Sequence, residues 1–96
     1  MNREKVIERL REHEAELKGA GITRLSLFGS VARGERGNDV DLMAEFDSSR
    51  QFSLLDMVGL ENRLADILGV KVDLSPAKQM KGPVRRTADH EAVLAF

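Results

Sequence analysis

Residues 25–42 read Leu25-Ser26-Leu27-Phe28-Gly29-Ser30-Val31-Ala32-Arg33-Gly34-Glu35-Arg36-Gly37-Asn38-Asp39-Val40-Asp41-Leu42. An apolar run enters Gly29-Ser30, and a second leaves through Val40, Leu42, Ala44 and Phe46. A glycine turn and a pair of carboxylates are therefore set between two expected strands. Residues two apart on a strand project from the same face, roughly 6 to 7 Å apart along the backbone, so Asp39 and Asp41 converge. Two such carboxylates repel each other unless a cation lies between them. Mg²⁺ suits the pair, because it takes oxygen ligands and is usually held by one or two carboxylates together with substrate phosphates. Taken alone, Asp-x-Asp is more simply the solvent side of an alternating strand.

The upstream turn argues for chemistry. Gly29 permits close approach of backbone to a ligand, and Ser30 offers a hydroxyl beside the amides of a helix start. Gly-Ser alone also describes an ordinary strand-to-helix turn. Its combination with a carboxylate nine residues after the serine is much more specific. A third acid is needed for a second metal ion or for activation of a hydroxyl, and Asp73 is the candidate. It lies in Gly69-Val70-Lys71-Val72-Asp73-Leu74, a β-branched run after a glycine helix stop. With Val70, Val72 and Leu74 facing the core, Asp73 reaches Asp39 and Asp41 if this strand pairs beside theirs. Otherwise it is a solvated edge carboxylate.

Outward from this centre, the periodicity predicts an amphipathic helix over Arg3–Lys18, stopped by Gly19 and Gly21. A strand follows over Ile22–Phe28, then a short helix at Val31–Arg33 ended by Gly34 and Gly37, and a strand over Val40–Phe46. Ser53 and Asp56 resemble a capping box opening a helix to Leu68, with Leu54, Met57, Val58, Leu60, Leu64, Ile67 and Leu68 on its core face. After the third strand, Ser75 to Pro83 reads as irregular, followed by a short helix near Val84–Ala88 and a last strand over Glu91–Phe96. Arg85-Arg86 near that helix start either contact phosphates or form a solvated face.

Composition narrows the function. The chain has 96 residues, 42% hydrophobic and 32% charged, which fits one globular domain over residues 1–96. A net charge of −1 argues against an extended nucleic-acid surface, which needs a basic face to displace counterions. The absence of cysteine excludes disulfides and thiolate metal sites and fits a cytoplasmic setting. His13 and His90 are expected on exposed helix faces, and neither has a partner at zinc-ligand spacing. The charged first ten residues and the lack of a long apolar run give no expectation of secretion or membrane anchoring.

Gly29-Ser30, Ala32-Arg33-Gly34-Glu35 and Asp39-Val40-Asp41-Leu42 together resemble the signature of the DNA polymerase β-like nucleotidyltransferase superfamily. The whole chain is similar to its minimal nucleotidyltransferases, short prokaryotic proteins encoded beside a HEPN-domain partner. Asn38 departs from the Ser or Thr common before the first acid. The resemblance implies an α+β fold, with a small mixed sheet flanked by helices. It implies that Gly29, Ser30 and Arg33 bind the nucleotide, and that Asp39, Asp41 and Asp73 are catalytic and hold two Mg²⁺ ions. The implied reaction transfers a nucleoside monophosphate, AMP from ATP, to a protein hydroxyl. The implied acceptor is a tyrosine of a HEPN ribonuclease toxin bound as a hetero-oligomer, which makes the chain an antitoxin. The alternatives are an antitoxin that only masks its partner, or a stand-alone transferase acting on a small molecule or RNA end.

Overall fold

Strand β1 (Ile22–Phe28) and strand β2 (Asp39–Phe46) pair antiparallel, with Leu27 opposite Leu42 and Phe28 opposite Asp41. Strand β3 (Lys71–Pro76) joins β2 in parallel, and the two-residue strand β4 (Val93–Leu94) pairs antiparallel with β1. The sheet is thus mixed, in the order β3-β2-β1-β4. This computed structural model describes residues 2–35, 39–80 and 82–96, apart from the side chains of residues 84, 85 and 87–89. Gly37, Asn38 and the Arg85 side chain lie outside the described residues.

Alternation along the strands divides the sheet into two faces. Leu25 and Leu27 of β1, Val40, Leu42 and Ala44 of β2, and Val72 and Leu74 of β3 point into the main core. Helix α1 (Arg3–Glu12) contributes Val6 and Leu10 to this core, and α4 (Leu54–Leu68) contributes Leu60, Leu64, Ile67 and Leu68. The opposite face carries Asp39, Asp41 and Met43. Met43 is buried there with Ala77 in a smaller cluster against Phe28, Met80 and Ala92.

The predicted first helix is two. α1 ends at His13 (φ −108°, ψ 16°), and α2 resumes over Glu14–Gly19. A single helix would carry the polar residues at 13 and 14 between Leu10 and Leu17 on the core side. The break re-aims the second segment so that Leu17 is fully buried. His13 is therefore a half-exposed cap, whose Nδ1 donates to the Arg9 carbonyl at 2.9 Å, while His90 is exposed on its helix as expected.

The capping box is present: the Ser53 hydroxyl accepts from the Asp56 N–H (3.1 Å), and the Asp56 carboxylate accepts from the Ser53 N–H (2.9 Å). Each bond satisfies a donor that the first helical turn leaves free. Ser53→Ala is expected to lower stability by about 1 kcal/mol in urea unfolding with the site untouched, and an unchanged midpoint would show that the box contributes nothing. The expected core face of α4 is too long at its start. Leu54 is 80% and Val58 46% exposed, because the main core begins under Leu60 and the first turns face an open cleft against Leu74 and Pro76 instead.

The short helix α3 covers Gly29–Ala32 and so starts at the glycine itself, ahead of the expected Val31. Between β3 and the last helix, part of the expected irregular stretch is a 3-10 turn at Ala77–Gln79. Helix α5 (Gly82–Glu91) is longer than expected and takes Glu91 from the predicted final strand. Ala95 and Phe96 still hold to β1, since the Ala95 N–H donates to the Leu25 carbonyl (2.9 Å) and the Leu25 N–H to that of Phe96 (3.3 Å). On the far edge, the Leu74 N–H donates to the Glu61 carboxylate at 2.9 Å, which ties β3 to α4.

Candidate active site

Three carboxylates are brought to one face by strand register. Asp39 and Asp41 lie two apart on β2, and Asp73 stands directly beside Asp41 in the parallel ladder. Asp39 and Asp73 are exposed, while Asp41 is half-buried. The condition attached to Asp73 in the sequence, that its strand pair beside β2, is met.

Gly29 sits against this group. Its φ of +78° lies in the left-handed region, where side chains other than glycine's are strained. A Cβ there would also strike the Asp41 carboxylate, 3.2 Å from Cγ and closer still to Oδ2. The glycine thus gives Asp41 its place, a contact between residues twelve apart in the chain. The turn beyond it is closed by backbone bonds: the Arg33 N–H donates to the Gly29 carbonyl (3.2 Å), and the Glu35 N–H to that of Ser30 (3.0 Å). Arg3 reaches from α1 and donates to the Ala32 carbonyl at 3.1 Å. The Ser30 hydroxyl has no protein hydrogen-bond partner among the described residues and is open to a ligand.

Electrostatics follow from the placement. Burial pushes the Asp41 carboxyl above the usual Asp range, the negative charges of Asp73 and Asp39 add to that, and Arg33 opposes it. Such crowding is costly without a cation and favourable with one. Among the described residues no three acidic or imidazole groups close into a metal cage. An open set of oxygen donors still fits Mg²⁺, which keeps waters and completes its shell with phosphate oxygens.

Arg33 points its guanidinium at two glutamates. Its Nη1 donates to both carboxylate oxygens of Glu91 at 3.0 Å, and its Nη2 to Glu35 at 3.2 Å. Both partners reinforce its positive charge, Glu91 the more strongly. Nothing in the sequence pointed to Glu91, which lies fifty-eight residues away at the end of α5. Arg86 is exposed on α5. Clefts of about 440 and 480 Å³ lie beside α4 and at the far ends of β2 and β3, and none of the three acids lines them. Asp39 and Asp73 stand at the exposed surface, outside either cleft.

Comparisons with known proteins give the family and the fold. The family model described as nucleotidyltransferase domain matches residues 3–95. A protein of Methanocaldococcus jannaschii, named a candidate protein adenylyltransferase, is 37% identical over 90 residues, covering 90% of each chain. Protein adenylyltransferase MntA of Thermococcus cleftensis is 34% identical over 87 residues, covering 88% of this chain and 86% of its own. Among solved structures, a candidate minimal nucleotidyltransferase superposes with a TM-score of 0.79 at 33% identity, over 97% of this chain and 95% of the other. A complex of tri-AMPylated Shewanella oneidensis HEPN toxin with MNT antitoxin matches at a TM-score of 0.65 and 16% identity, over 91% of this chain and 70% of the other. That last likeness is one of fold.

Proposed function

The chain belongs to the nucleotidyltransferase domain family, and on that premise we propose that it transfers AMP from ATP to a hydroxyl of a partner protein and silences that partner. The acceptor in this reading is a tyrosine of a HEPN-domain toxin, held in a hetero-oligomer in the cytoplasm. The single observation that carries it is the convergence of Asp39, Asp41 and Asp73 on one open face beside the Gly29-Ser30 turn. Relatives spanning nearly the same length carry the adenylyltransferase name, and the fold recurs in a complex with an AMPylated HEPN toxin. Both support the reading.

In the proposed reaction the acceptor oxygen attacks the α-phosphorus in line, a new O–P bond forms, the bond to the β-phosphate oxygen breaks, and pyrophosphate departs. Gly29 lets the Asp41 carboxylate lie against the turn that receives the triphosphate, and the Ser30 hydroxyl donates to a phosphate oxygen. Arg33 adds a fixed positive charge beside the phosphates. Asp39 and Asp41, with Asp73, would hold two Mg²⁺ ions, whose charge lowers the pKa of the attacking hydroxyl and stabilises the leaving group. Asp73, exposed on the edge strand, would either hold the activating metal or take the hydroxyl proton on its carboxylate. The exposure of Asp39 and Asp73 suits an acceptor that arrives on another protein.

The test is intact mass spectrometry of the protein encoded beside this one, incubated with this chain, ATP and Mg²⁺. The expected result is a gain of one or more adenylyl units, missing when the Asp39→Ala/Asp41→Ala variant replaces the wild type. A stable complex with no mass gain would instead mean that the chain works by masking its partner.

A further inference from the structure

We infer that Glu91 is a positioning residue for nucleotide binding: from the end of α5 it holds the Arg33 guanidinium in place beside the acidic face, so that the phosphates meet a charge already fixed. The inference rests on the proposed nucleotidyl transfer and adds to it a residue outside the Gly-Ser and Asp-x-Asp segments.

Three observations carry it. First, the contact is close and symmetric, with one guanidinium nitrogen donating to both oxygens of the Glu91 carboxylate at 3.0 Å. Second, Glu91 is the firmer partner. Its side chain is 20% exposed against 47% for Arg33, and its backbone is anchored immediately downstream. Ala92 packs on the Met43 cluster, and Val93 pairs with Leu27 of β1. Third, Arg33 stays available to a ligand. A guanidinium has five N–H donors. With Nη1 engaged by Glu91 and one Nη2 hydrogen by Glu35, Nε and the second Nη2 hydrogen are unengaged among the described residues. Its backbone N–H donates to the carbonyl of Gly29 (3.2 Å), the residue that lies against the Asp41 carboxylate, so the arginine is rooted beside the acidic face.

The physical consequence is pre-organisation. An arginine side chain has several rotatable bonds, and a free one must lose that freedom when it grips a phosphate. Held by Glu91, it loses most of that freedom on folding, and binding is strengthened accordingly. The opposite effect is also physically possible, since a carboxylate competes with phosphate for the same guanidinium. The sign of the change in affinity separates the two.

The experiment measures binding of α,β-methylene-ATP, which cannot release pyrophosphate, in the presence of Mg²⁺ by calorimetry. It compares wild type, Glu91→Ala, the near-isosteric Glu91→Gln, Arg33→Ala and the Arg33→Ala/Glu91→Ala double variant. Steady-state transfer is followed in parallel. Removing the Glu91 charge or side chain is expected to raise Kd and the KM for ATP about tenfold, with kcat within about threefold and melting nearly unchanged, as befits a half-exposed ion pair. The double variant is expected to bind no more weakly than Arg33→Ala alone, because Glu91 acts through Arg33. Unchanged or tighter binding in both Glu91 variants, or additive losses in the double variant, would overturn the inference. Failure of the wild type to bind any nucleoside triphosphate would overturn the proposed function itself, and this inference with it.

Discussion

Asp41→Asn is expected to slow transfer by a factor on the order of 10³ while the unliganded protein melts no lower than wild type. The two halves of that result have one cause. Asp41 is half-buried beside Asp73 and two residues from Asp39, so its negative charge is disfavoured in the folded protein and its carboxyl titrates above the usual range. A carboxyl with a raised folded pKa binds more protons in the native state than in the unfolded one. Stability therefore falls as pH rises from the ordinary Asp value through the raised one, and above the raised one the whole penalty is present. Asparagine keeps the shape and removes the charge, which relieves that penalty. It also removes a ligand where positive charge must gather to stabilise the transition state. Mg²⁺ is accordingly expected to raise the melting temperature of the wild type, as any ligand specific for the native state does, and to raise that of Asp41→Asn much less. Turnover within tenfold of wild type, or equal Mg²⁺ stabilisation of both proteins, would remove Asp41 from the site.

Gly29→Ala is expected to damage both fold and chemistry, and Gly34→Ala separates the two. Both glycines have positive φ, 78° and 88°, so alanine at either position carries backbone strain of about 1–3 kcal/mol. Only at Gly29 does the added Cβ meet anything. It lands on the Asp41 carboxylate, whereas around Gly34 no atom of the described residues lies within 4 Å. Gly29→Ala must therefore also push Asp41 from its place, and a displacement of about 1 Å at a reacting centre typically costs on the order of 10² in rate. Urea unfolding should show similar destabilisation in the two variants, while transfer collapses only in Gly29→Ala. Equal activity in both would show that the Gly29 contact with Asp41 is without catalytic consequence.

Features with a local cause were legible in the sequence. The strand periods, the Ser53–Asp56 capping box and the Gly69 helix stop each depend on neighbours within a few residues. The pairing of Asp39 with Asp41 was readable because strand geometry alone dictates it. Asp73 needed one further fact, the parallel register of β3 on β2, which a hydrophobic pattern permits but does not specify. What stayed hidden is tertiary. The break at His13 is set by where Leu17 must reach, and the exposure of Leu54 and Val58 by where the core under α4 begins. The Arg33–Glu91 bond joins segments whose sequences carry no mark of each other.

The alignment of β3 against β2 also works as a built-in inspection of the finished molecule. A slip of one residue would turn Asp73 toward the apolar interior and expel Val72 and Leu74 to solvent, and a slip of two would set Lys71 beside Asp41 in place of Asp73. It would also break the grip of Glu61 on the Leu74 amide. A one-residue error that dismantles the acidic face therefore dismantles the interior at the same stroke. A chain that has lost its acidic face in this way has lost its packed interior too, and cannot persist as a well-folded but inactive form.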